Sequence, residues 1–279
     1  MSKFTLGGFA DEAAIDLKKQ MDVFDTLGLK YIEMRGVNGK PLVEHTVDEV
    51  KAIKAETDAR GFTVFSIGSP IGKISIKDEF APHLDLFKHT LDLAKVLDAK
   101  FIRMFSFFFK ANENPDEYED EVMNRWRQFA DAAKGYDIVL AHENQNTYGD
   151  TPVRCLKLLK TIDRSYVKHC FDTGAFSRDT VVYPYAYDML KDHIAYLHIK
   201  DAKNAGGGCV PAGTGDKQVK EVIAALHADG YEGMLSLEPH LAFTSPADFL
   251  AGKDNSVELF TTATNALKNI LYEVTGLKY

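Results

Sequence analysis

The sequence predicts an α/β fold, a closed (β/α)8 barrel in which eight parallel strands alternate with covering helices. Apolar runs of strand length alternate with segments of helical periodicity eight times, without a break in composition. The chain has 279 residues, which suits a barrel of about 250 residues. No GxGxxG pattern follows the first strand, which counts against an open dinucleotide-binding sheet. We therefore expect a single TIM-barrel domain that spans residues 1–279.

The first half of the chain contains four of these strand and helix units. Apolar runs predict strands at 4–9, 30–34, 62–67 and 100–105. Apolar residues three or four positions apart predict helices at 11–27, 46–60, 83–97 and 116–134. Thr46 is the expected N-cap of the second helix, and Gly28 and Gly61 are expected to end the first two.

The second half continues the alternation. Within the stretch 137–146, the run at 138–141 is apolar on both faces, which is typical of a covered parallel strand. The remaining predicted strands are 167–171, 194–199 and 233–237. The predicted helices are 152–163, 185–192, 216–228 and 256–274, and Pro152 begins the first of them at a position that proline favours.

Each of the last four predicted strands ends in a residue able to bind a metal ion, namely Glu143, Asp172, His198 and Glu238. The C-terminal strand ends of such a barrel carry the active site, and consecutive strands form one arc of its rim. Three carboxylates on one arc would repel one another and raise one another's pKa values. A divalent cation bound between the carboxylates would offset this repulsion, so the pattern predicts a metal site.

The metal itself is not determined by the sequence. Three oxygen ligands and one nitrogen suit Mn²⁺, Mg²⁺, Zn²⁺ or Co²⁺. A single charged residue at a strand end is more often a solvated cap or half of a salt bridge, so structural ion pairs are the alternative. Four such residues in register on consecutive strands favour one divalent metal ion.

The segments around these residues resemble the xylose isomerase-like TIM-barrel superfamily, which includes ketose 3-epimerases, hydroxypyruvate isomerases, inosose dehydratases and isomerases, and endonuclease IV. The resemblance covers residues 8–239 and is carried by HEN at Glu143, FDTG at Asp172, LHIKDA at His198 and LSLEP at Glu238. It implies that these four residues are the metal ligands. It also implies, from the ketose epimerase branch, that Glu143 and Glu238 are the catalytic proton-transfer pair.

The resemblance implies a metal-dependent isomerase or epimerase that acts on a ketose or keto-cyclitol. A proton next to a carbonyl becomes removable when a cation stabilises the resulting enediolate. One carboxylate takes that proton, and another group returns one. Elimination of a β leaving group would instead make the protein a lyase, of the inosose dehydratase or 3-keto-glycoside-eliminating type. A sugar-binding barrel without catalysis is a third hypothesis.

Two positions depart from the ketose 3-epimerase pattern. Those enzymes usually carry a histidine three residues after the Asp172 position, where this chain has Ala175. They also carry an arginine soon after the metal-binding histidine, where this chain has Lys200, Lys203 and Asn204. The strand ends FSIGSP and RMFSFF offer no histidines for the three-metal site of endonuclease IV. These differences weaken a standard ketose 3-epimerase assignment and argue against a nuclease.

Two residues close to the metal-ligand positions are candidates for binding substrate. Lys200 lies two residues after His198, so strand alternation points it to the same side, at the rim. It is expected either to bind substrate or to pair with an acid such as Asp201. His240 follows Glu238 by two residues and is expected either to contact substrate or to face water from its loop.

Two further candidates for substrate binding lie in the first half of the chain. Glu33 shares a face with Arg35 at the end of the second strand, and it is expected to contact substrate or, with more support, to pair with Arg35. Lys73 follows the third strand in SPIGK, and this SxIGK pattern resembles one in several superfamily members. A solvated lysine is the alternative for Lys73.

Composition limits the partners of the protein. The net charge of −8 and the pI of about 5.6 disfavour nucleic acid. No apolar segment approaches the roughly 20 residues that span a bilayer, so we expect no membrane partner. Residues 1–9 contain no signal-peptide h-region, so we expect a cytoplasmic protein. The cysteines are three and form no CxxC pair, which disfavours disulfides and a thiolate zinc site. A small sugar or cyclitol is the expected partner, with a homodimer or homotetramer expected from the relatives that the chain resembles.

Overall fold

Eight parallel strands close into a barrel in the computed structural model, which describes residues 3–204, 206–241 and 255–279. We number the barrel strands β1 to β8, and their bounds are Lys3–Gly8, Tyr31–Met34, Thr63–Gly68, Phe101–Met104, Val139–Glu143, Val167–Asp172, Ile194–Ile199 and Glu232–Leu237. Each strand pairs with the next in the chain, and β8 pairs in parallel with β1 to close the barrel. The predicted (β/α)8 fold is confirmed.

Helices cover the outside of the barrel. We number them α1 to α8, and their bounds are Leu17–Thr26, Val47–Ala59, Ala81–Leu97, Glu119–Ala133, Pro152–Ile162, Tyr187–Leu190, Val219–Ala228 and Ser256–Thr275. Within the described ranges, none of the helices combines the length and the apolar character that crossing a membrane requires. The cytoplasmic location stays a prediction from the sequence.

Local capping explains where several helices begin. Thr46 caps α2 through a capping box with Glu49, as the sequence predicts. The predicted helix 11–27 is instead a 3-10 turn at Ala10–Glu12 followed by α1, because Asp16 is extended and its carboxylate caps α1. The predicted helix 216–228 begins only at Val219.

Strand alternation divides the apolar side chains into two cores. One lies between the strands and the helices, and it contains Trp126 and Phe129. The other fills the barrel and contains Phe65, Ala141, Cys170 and Tyr196. Ala141, Cys170 and Tyr196 lie two residues before Glu143, Asp172 and His198. These three candidate metal ligands therefore lie on the same inner face, one layer of side chains closer to the C-terminal end of the barrel.

The loop after β3, which carries Lys73, is anchored to α3 by His83. The backbone N–H of Gly72 donates to His83 Nε2 at 2.7 Å. Burial lowers the pKa of His83 from its usual 6.5 to about 4, and the charge of Arg125 acts in the same direction. The imidazole is therefore neutral in the folded protein, as the hydrogen bond that it accepts requires.

This neutral histidine predicts a loss of stability at mildly acid pH. Because the folded pKa of about 4 lies below the usual 6.5, the unfolded chain binds the proton first as the pH falls. The contribution of His83 is complete above pH 6.5 and is lost as the pH falls towards 4. We expect the free energy of unfolding in urea to fall more between pH 7 and pH 5 in the wild type than in His83→Gln, whose amide does not titrate. Equal decreases in the two proteins would contradict this assignment.

Candidate metal centre and active site

Glu143, Asp172, His198 and Glu238 converge at the C-terminal mouth of the barrel. Glu143 and Asp172 end β5 and β6, His198 lies near the end of β7, and Glu238 follows β8. One ligand atom from each of the four lies within 4.8 Å of the others. None of these residues is more than 2% exposed. The structure thus brings together all four side chains that the sequence predicts to meet.

The ring of His198 is oriented by Glu33. Nε2 of His198 donates to Glu33 Oε2 at 3.0 Å. Nδ1 lies 3.2 Å from Glu238 Oε2 and 3.6 Å from Glu143 Oε2, yet it makes no hydrogen bond within the described structure. Burial tends to lower the pKa of His198, but Cys170 and the carboxylates of Glu33, Glu143 and Glu238 raise it well above its usual value, so a cation bound at Nδ1 would take the place of a proton. Metal-binding histidines adopt this arrangement, in which a carboxylate holds the second nitrogen.

Glu33 is fully buried and holds several other side chains of the site in place. Besides His198, it accepts hydrogen bonds from hydroxyl groups of three residues, at 2.7 to 3.1 Å: Ser66, Tyr196 and Ser236. Burial alone would raise the pKa of Glu33, but its contacts, led by His198, hold that pKa below its usual value. Four donors therefore keep this carboxylate ionised and fixed.

The predicted ion pair between Glu33 and Arg35 is wrong. Arg35 pairs instead with Asp11 at 2.9 Å, with Glu12 at 3.4 Å and with Glu238 at 3.5 Å. The prediction extended strand alternation past Met34, where β2 ends. Beyond that residue the backbone no longer places alternate side chains on one face.

Lys200 lies inside the site, not at the rim as predicted. Its Nζ is 2.7 Å from Asp172 Oδ2 and 2.6 Å from Glu238 Oε2, and the residue is 5% exposed. The alternative partner Asp201 accepts backbone N–H groups of Gly213 and other loop residues instead. Gly174 makes room for Lys200, since a Cβ at position 174 would lie 2.6 Å from the lysine chain.

Arg103 on β4 is a site residue that the sequence reasoning missed. Its Nη1 lies 2.7 Å from Glu143 Oε2 and 3.8 Å from Glu238 Oε1. The residue is 2% exposed, and its guanidinium lies 4.5 Å from the centre of the Phe105 ring. An arginine in the apolar run KFIRMF was the available signal, because arginine is rarely buried without a partner.

These cations decide which carboxylates are ionised. Burial tends to raise the pKa of Glu143, but the charge of Arg103 holds that pKa below its usual range. Burial is likewise outweighed at Glu238, where Lys200 and His198 hold the pKa well below its usual value. At Asp172 burial prevails over the charge of Lys200, and the pKa rises to about 7. Glu143 and Glu238 therefore form a pair of buried, ionised glutamates.

The donor set fits a divalent cation. Glu143 Oε1 and His198 Nδ1 are buried and have no hydrogen-bond partner within the described structure. Such atoms cost about 1–3 kcal/mol each when left unpaired, and a cation between them would satisfy both. Arg103 donates to Glu143 Oε2, and Lys200 donates to one oxygen each of Asp172 and Glu238, so neither cation satisfies these two atoms. Three carboxylates and one imidazole suit Mn²⁺, Mg²⁺, Zn²⁺ or Co²⁺.

Two predicted substrate residues border the opening above the cluster. Nζ of the half-buried Lys73 lies 4.1 Å from the centre of the Phe105 ring, and burial lowers the pKa of its amine to about 8. Nε2 of His240 lies 3.3 Å from Glu12 Oε1 and 3.4 Å from Glu238 Oε1. His240 is 27% exposed at its side chain, so it borders the site instead of facing open water. Glu12, which the sequence reasoning did not single out, completes this side of the opening.

Comparison with known proteins identifies the family. A family model described as "Xylose isomerase-like TIM barrel" matches residues 22–253. The probable L-ribulose-5-phosphate 3-epimerase UlaE of Mycoplasma pneumoniae is 27% identical over 145 residues, which are 52% of this chain and 48% of that protein. The match thus spans about half the length of this curated relative.

Two solved structures show the same fold. The IolI protein with a bound zinc atom superposes with a TM-score of 0.75 at 16% identity, over 98% of this chain and 100% of that one. The probable 3-DHS dehydratase AsbF of Bacillus anthracis superposes with a TM-score of 0.73 at 17% identity, over 96% of this chain and 98% of that one. Since the family model covers most of the sequence, the chain belongs to the xylose isomerase-like TIM barrel family.

Proposed function

We propose that this protein is a divalent-metal-dependent isomerase or epimerase of a ketose or keto-cyclitol. The observation that carries the proposal is the pair of buried, ionised glutamates, Glu143 and Glu238, whose carboxylate oxygens both lie within 4 Å of Nδ1 of His198. Glu143, Asp172, His198 and Glu238 would hold the metal ion. When bound, the ion would polarise the substrate carbonyl and stabilise the negative charge that develops on its oxygen.

Glu143 and Glu238 are the proposed proton-transfer groups. Arg103 keeps Glu143 ionised, and Lys200 keeps Glu238 ionised, so each glutamate is ready to accept a proton. Glu143 ends β5 and Glu238 follows β8, so the two carboxylates come from different parts of the barrel rim. One, in its ionised form, would remove the proton next to the carbonyl. The other, after taking up a proton from solvent, would deliver that proton to the opposite face, which inverts the carbon.

Residues at the opening are proposed to bind the rest of the substrate. Lys73 and His240 border the opening, and Lys73 has no carboxylate within 4 Å of its Nζ among the described residues. Each can donate a hydrogen bond to a sugar hydroxyl or an anionic group. The name of the curated relative makes a phosphorylated pentulose one candidate substrate. The expected homodimer or homotetramer and the cytoplasmic location belong to the same proposal.

A lyase is the second candidate, and Lys73 is the observation that favours it. Burial lowers the pKa of this amine to about 8, so it would donate a proton to a leaving oxygen more readily than an exposed lysine would. The same glutamate pair would first remove the proton next to the carbonyl. Loss of water or of an aglycone would then replace the return of the proton.

Proton exchange with solvent separates these candidates. The protein would be incubated in D₂O with Mn²⁺ and, in turn, ketoses, ketose phosphates, inososes and 3-keto-glycosides. The proposed activity predicts deuterium at the carbon next to the carbonyl, together with an epimer or isomer and no loss of water. Elimination products would favour the lyase. Saturable binding without exchange would favour a sugar-binding barrel and refute both enzymatic proposals.

A further inference from the structure

Behind the barrel wall, outside the site described above, three more metal-binding side chains meet. We call them the outer cluster: His142 on β5, His169 on β6 and Cys155 on α5. His142 and His169 are direct partners in the β5–β6 pairing, so their side chains leave the barrel side by side. All three residues are 0% exposed, and one ligand atom from each lies within 4.8 Å of the other two.

Ring nitrogens in the outer cluster are left without a well-formed hydrogen bond. Within the described structure they are Nδ1 of His142 and the nitrogens of His169, one of which lies near the backbone carbonyl of His142. A neutral imidazole carries one N–H donor and one acceptor, so His169 can direct its N–H at that carbonyl and still leave its acceptor nitrogen unsatisfied. Each such group costs about 1–3 kcal/mol when buried. Each of the two histidines therefore offers one acceptor nitrogen to a water molecule or a metal ion.

The hydrogen bonds of His142 prepare it to be a ligand. Its Nε2 lies 3.0 Å from Ser106 Oγ, which also accepts the backbone N–H of Gly149 at 2.9 Å. With Nε2 as the donor, Nδ1 carries a lone pair that is available to a metal ion. Gly149 is required for this packing, because a Cβ at position 149 would lie 2.4 Å from the His142 ring.

Cys155 is not placed to act as a nucleophile. The residue is fully buried, and its thiol donates to the carbonyl oxygen of Gly149 at 3.2 Å. Burial also raises the pKa of this thiol well above its ordinary value. A reactive cysteine needs access and a stabilised thiolate, and without a metal ion Cys155 has neither.

We propose that the outer cluster binds a structural zinc ion through His142 Nδ1, one nitrogen of His169 and the sulfur of Cys155. Zinc holds nitrogen at about 2.0–2.1 Å and sulfur at about 2.3 Å, which places ligand atoms roughly 3.3–3.8 Å apart. The distances between the ligand atoms would therefore shorten by up to about 1.5 Å. Cys155 would release its proton to solvent on binding, and the carbonyl oxygen of Gly149 is placed to be the fourth ligand.

This ion would stabilise the C-terminal ends of β5 and β6 from outside the barrel. It would tie α5 to β5 and β6, and those two strands end in Glu143 and Asp172. The outer cluster lies outside the barrel, in the layer between strands and helices, so zinc binding there does not depend on the proposed isomerase activity.

Metal retention tests the proposal. The protein would be produced in zinc-supplemented medium, purified, dialysed against EDTA and analysed by mass spectrometry for zinc. We expect about one zinc ion per chain to remain in the wild type and in His198→Asn, because the buried outer cluster does not depend on His198. Cys155→Ala should lose that zinc ion. Cys170→Ala is the matched control, since Cys170 is an equally buried cysteine that faces the barrel interior, and it should retain the ion.

Cobalt supplies a second readout that does not require Cys155→Ala to fold. Protein produced with Co²⁺ should show a near-ultraviolet sulfur-to-cobalt charge-transfer band in the wild type and in Cys170→Ala. Less than about 0.2 zinc ions per wild-type chain after dialysis would overturn the proposal and leave a buried water as the partner of the histidines. A cobalt band that disappears in Cys170→Ala, or a retained zinc ion that disappears in His198→Asn, would also overturn it.

Discussion

Glu143→Gln and Glu238→Gln should each lower turnover by about 10²- to 10⁴-fold, the usual contribution of a general acid or base. Glutamine has nearly the same shape and keeps one oxygen for a metal ion, but it cannot accept the proton. Because each carboxylate contributes charge next to His198, the variants would be assayed at saturating Mn²⁺, with bound metal measured in parallel. Glu121→Gln, at a half-exposed helical position outside the site, is the control and should keep full activity.

The two variants should also differ from each other in a way that a purely structural role does not explain. If the glutamates act on opposite faces of the substrate carbon, each variant retains the base for one epimer only. Glu143→Gln should exchange deuterium into one epimer, and Glu238→Gln into the other, while neither interconverts them. Measuring exchange in D₂O by mass spectrometry, starting from each epimer separately, tests this. Full turnover in either variant, or the same epimer exchanged by both, would contradict the assignment of a two-base pair.

The sequence was sufficient to predict the four converging residues because the fold converts chain order into spatial order. In a closed parallel barrel, every strand presents its C-terminal end at the same mouth. Glu143 and Asp172 therefore needed only a correct strand assignment, and an apolar run followed by polar turn residues supplied it. The closed strand order confirms that step.

The partners of those residues were harder to predict, because each one comes from another strand, far away in the sequence. Glu33 on β2 meets His198 on β7, and these residues are 165 positions apart in the chain. Arg103 on β4 meets Glu143 on β5, and these residues are 40 positions apart. Strand alternation predicts which face of the sheet a residue occupies. It does not predict how far along the barrel axis the residue lies, or whether two long side chains from different strands are close enough to pair. Local spacing instead suggested pairs of near neighbours, Glu33 with Arg35 and Lys200 with Asp201, and the structure contains neither.

Arg103→Met should destabilise the metal-free protein by about 3–5 kcal/mol, the usual effect of removing one partner of a buried ion pair. Glu143 would lose its hydrogen bond of 2.7 Å and its principal counter-charge. Saturating Mn²⁺ should make this loss of stability smaller, because the ion would supply positive charge to the same carboxylate. Urea unfolding of the wild type and the variant, with EDTA and with Mn²⁺, measures both quantities. By linkage, the variant must then bind Mn²⁺ more tightly than the wild type by the same free-energy difference.

Arg125→Met separates this effect from the general cost of losing a buried arginine. Arg125 is also buried at 6% exposure and packs against Phe80 and Phe107, but its acidic partner is Glu121, on the same helix. Its replacement should destabilise the protein equally with EDTA and with Mn²⁺. If Arg103→Met behaved in the same way, no ion would be sharing Glu143 with the guanidinium. The buried charges at the mouth of the barrel would then be structural ion pairs, and the metal-dependent mechanism would lose its physical basis.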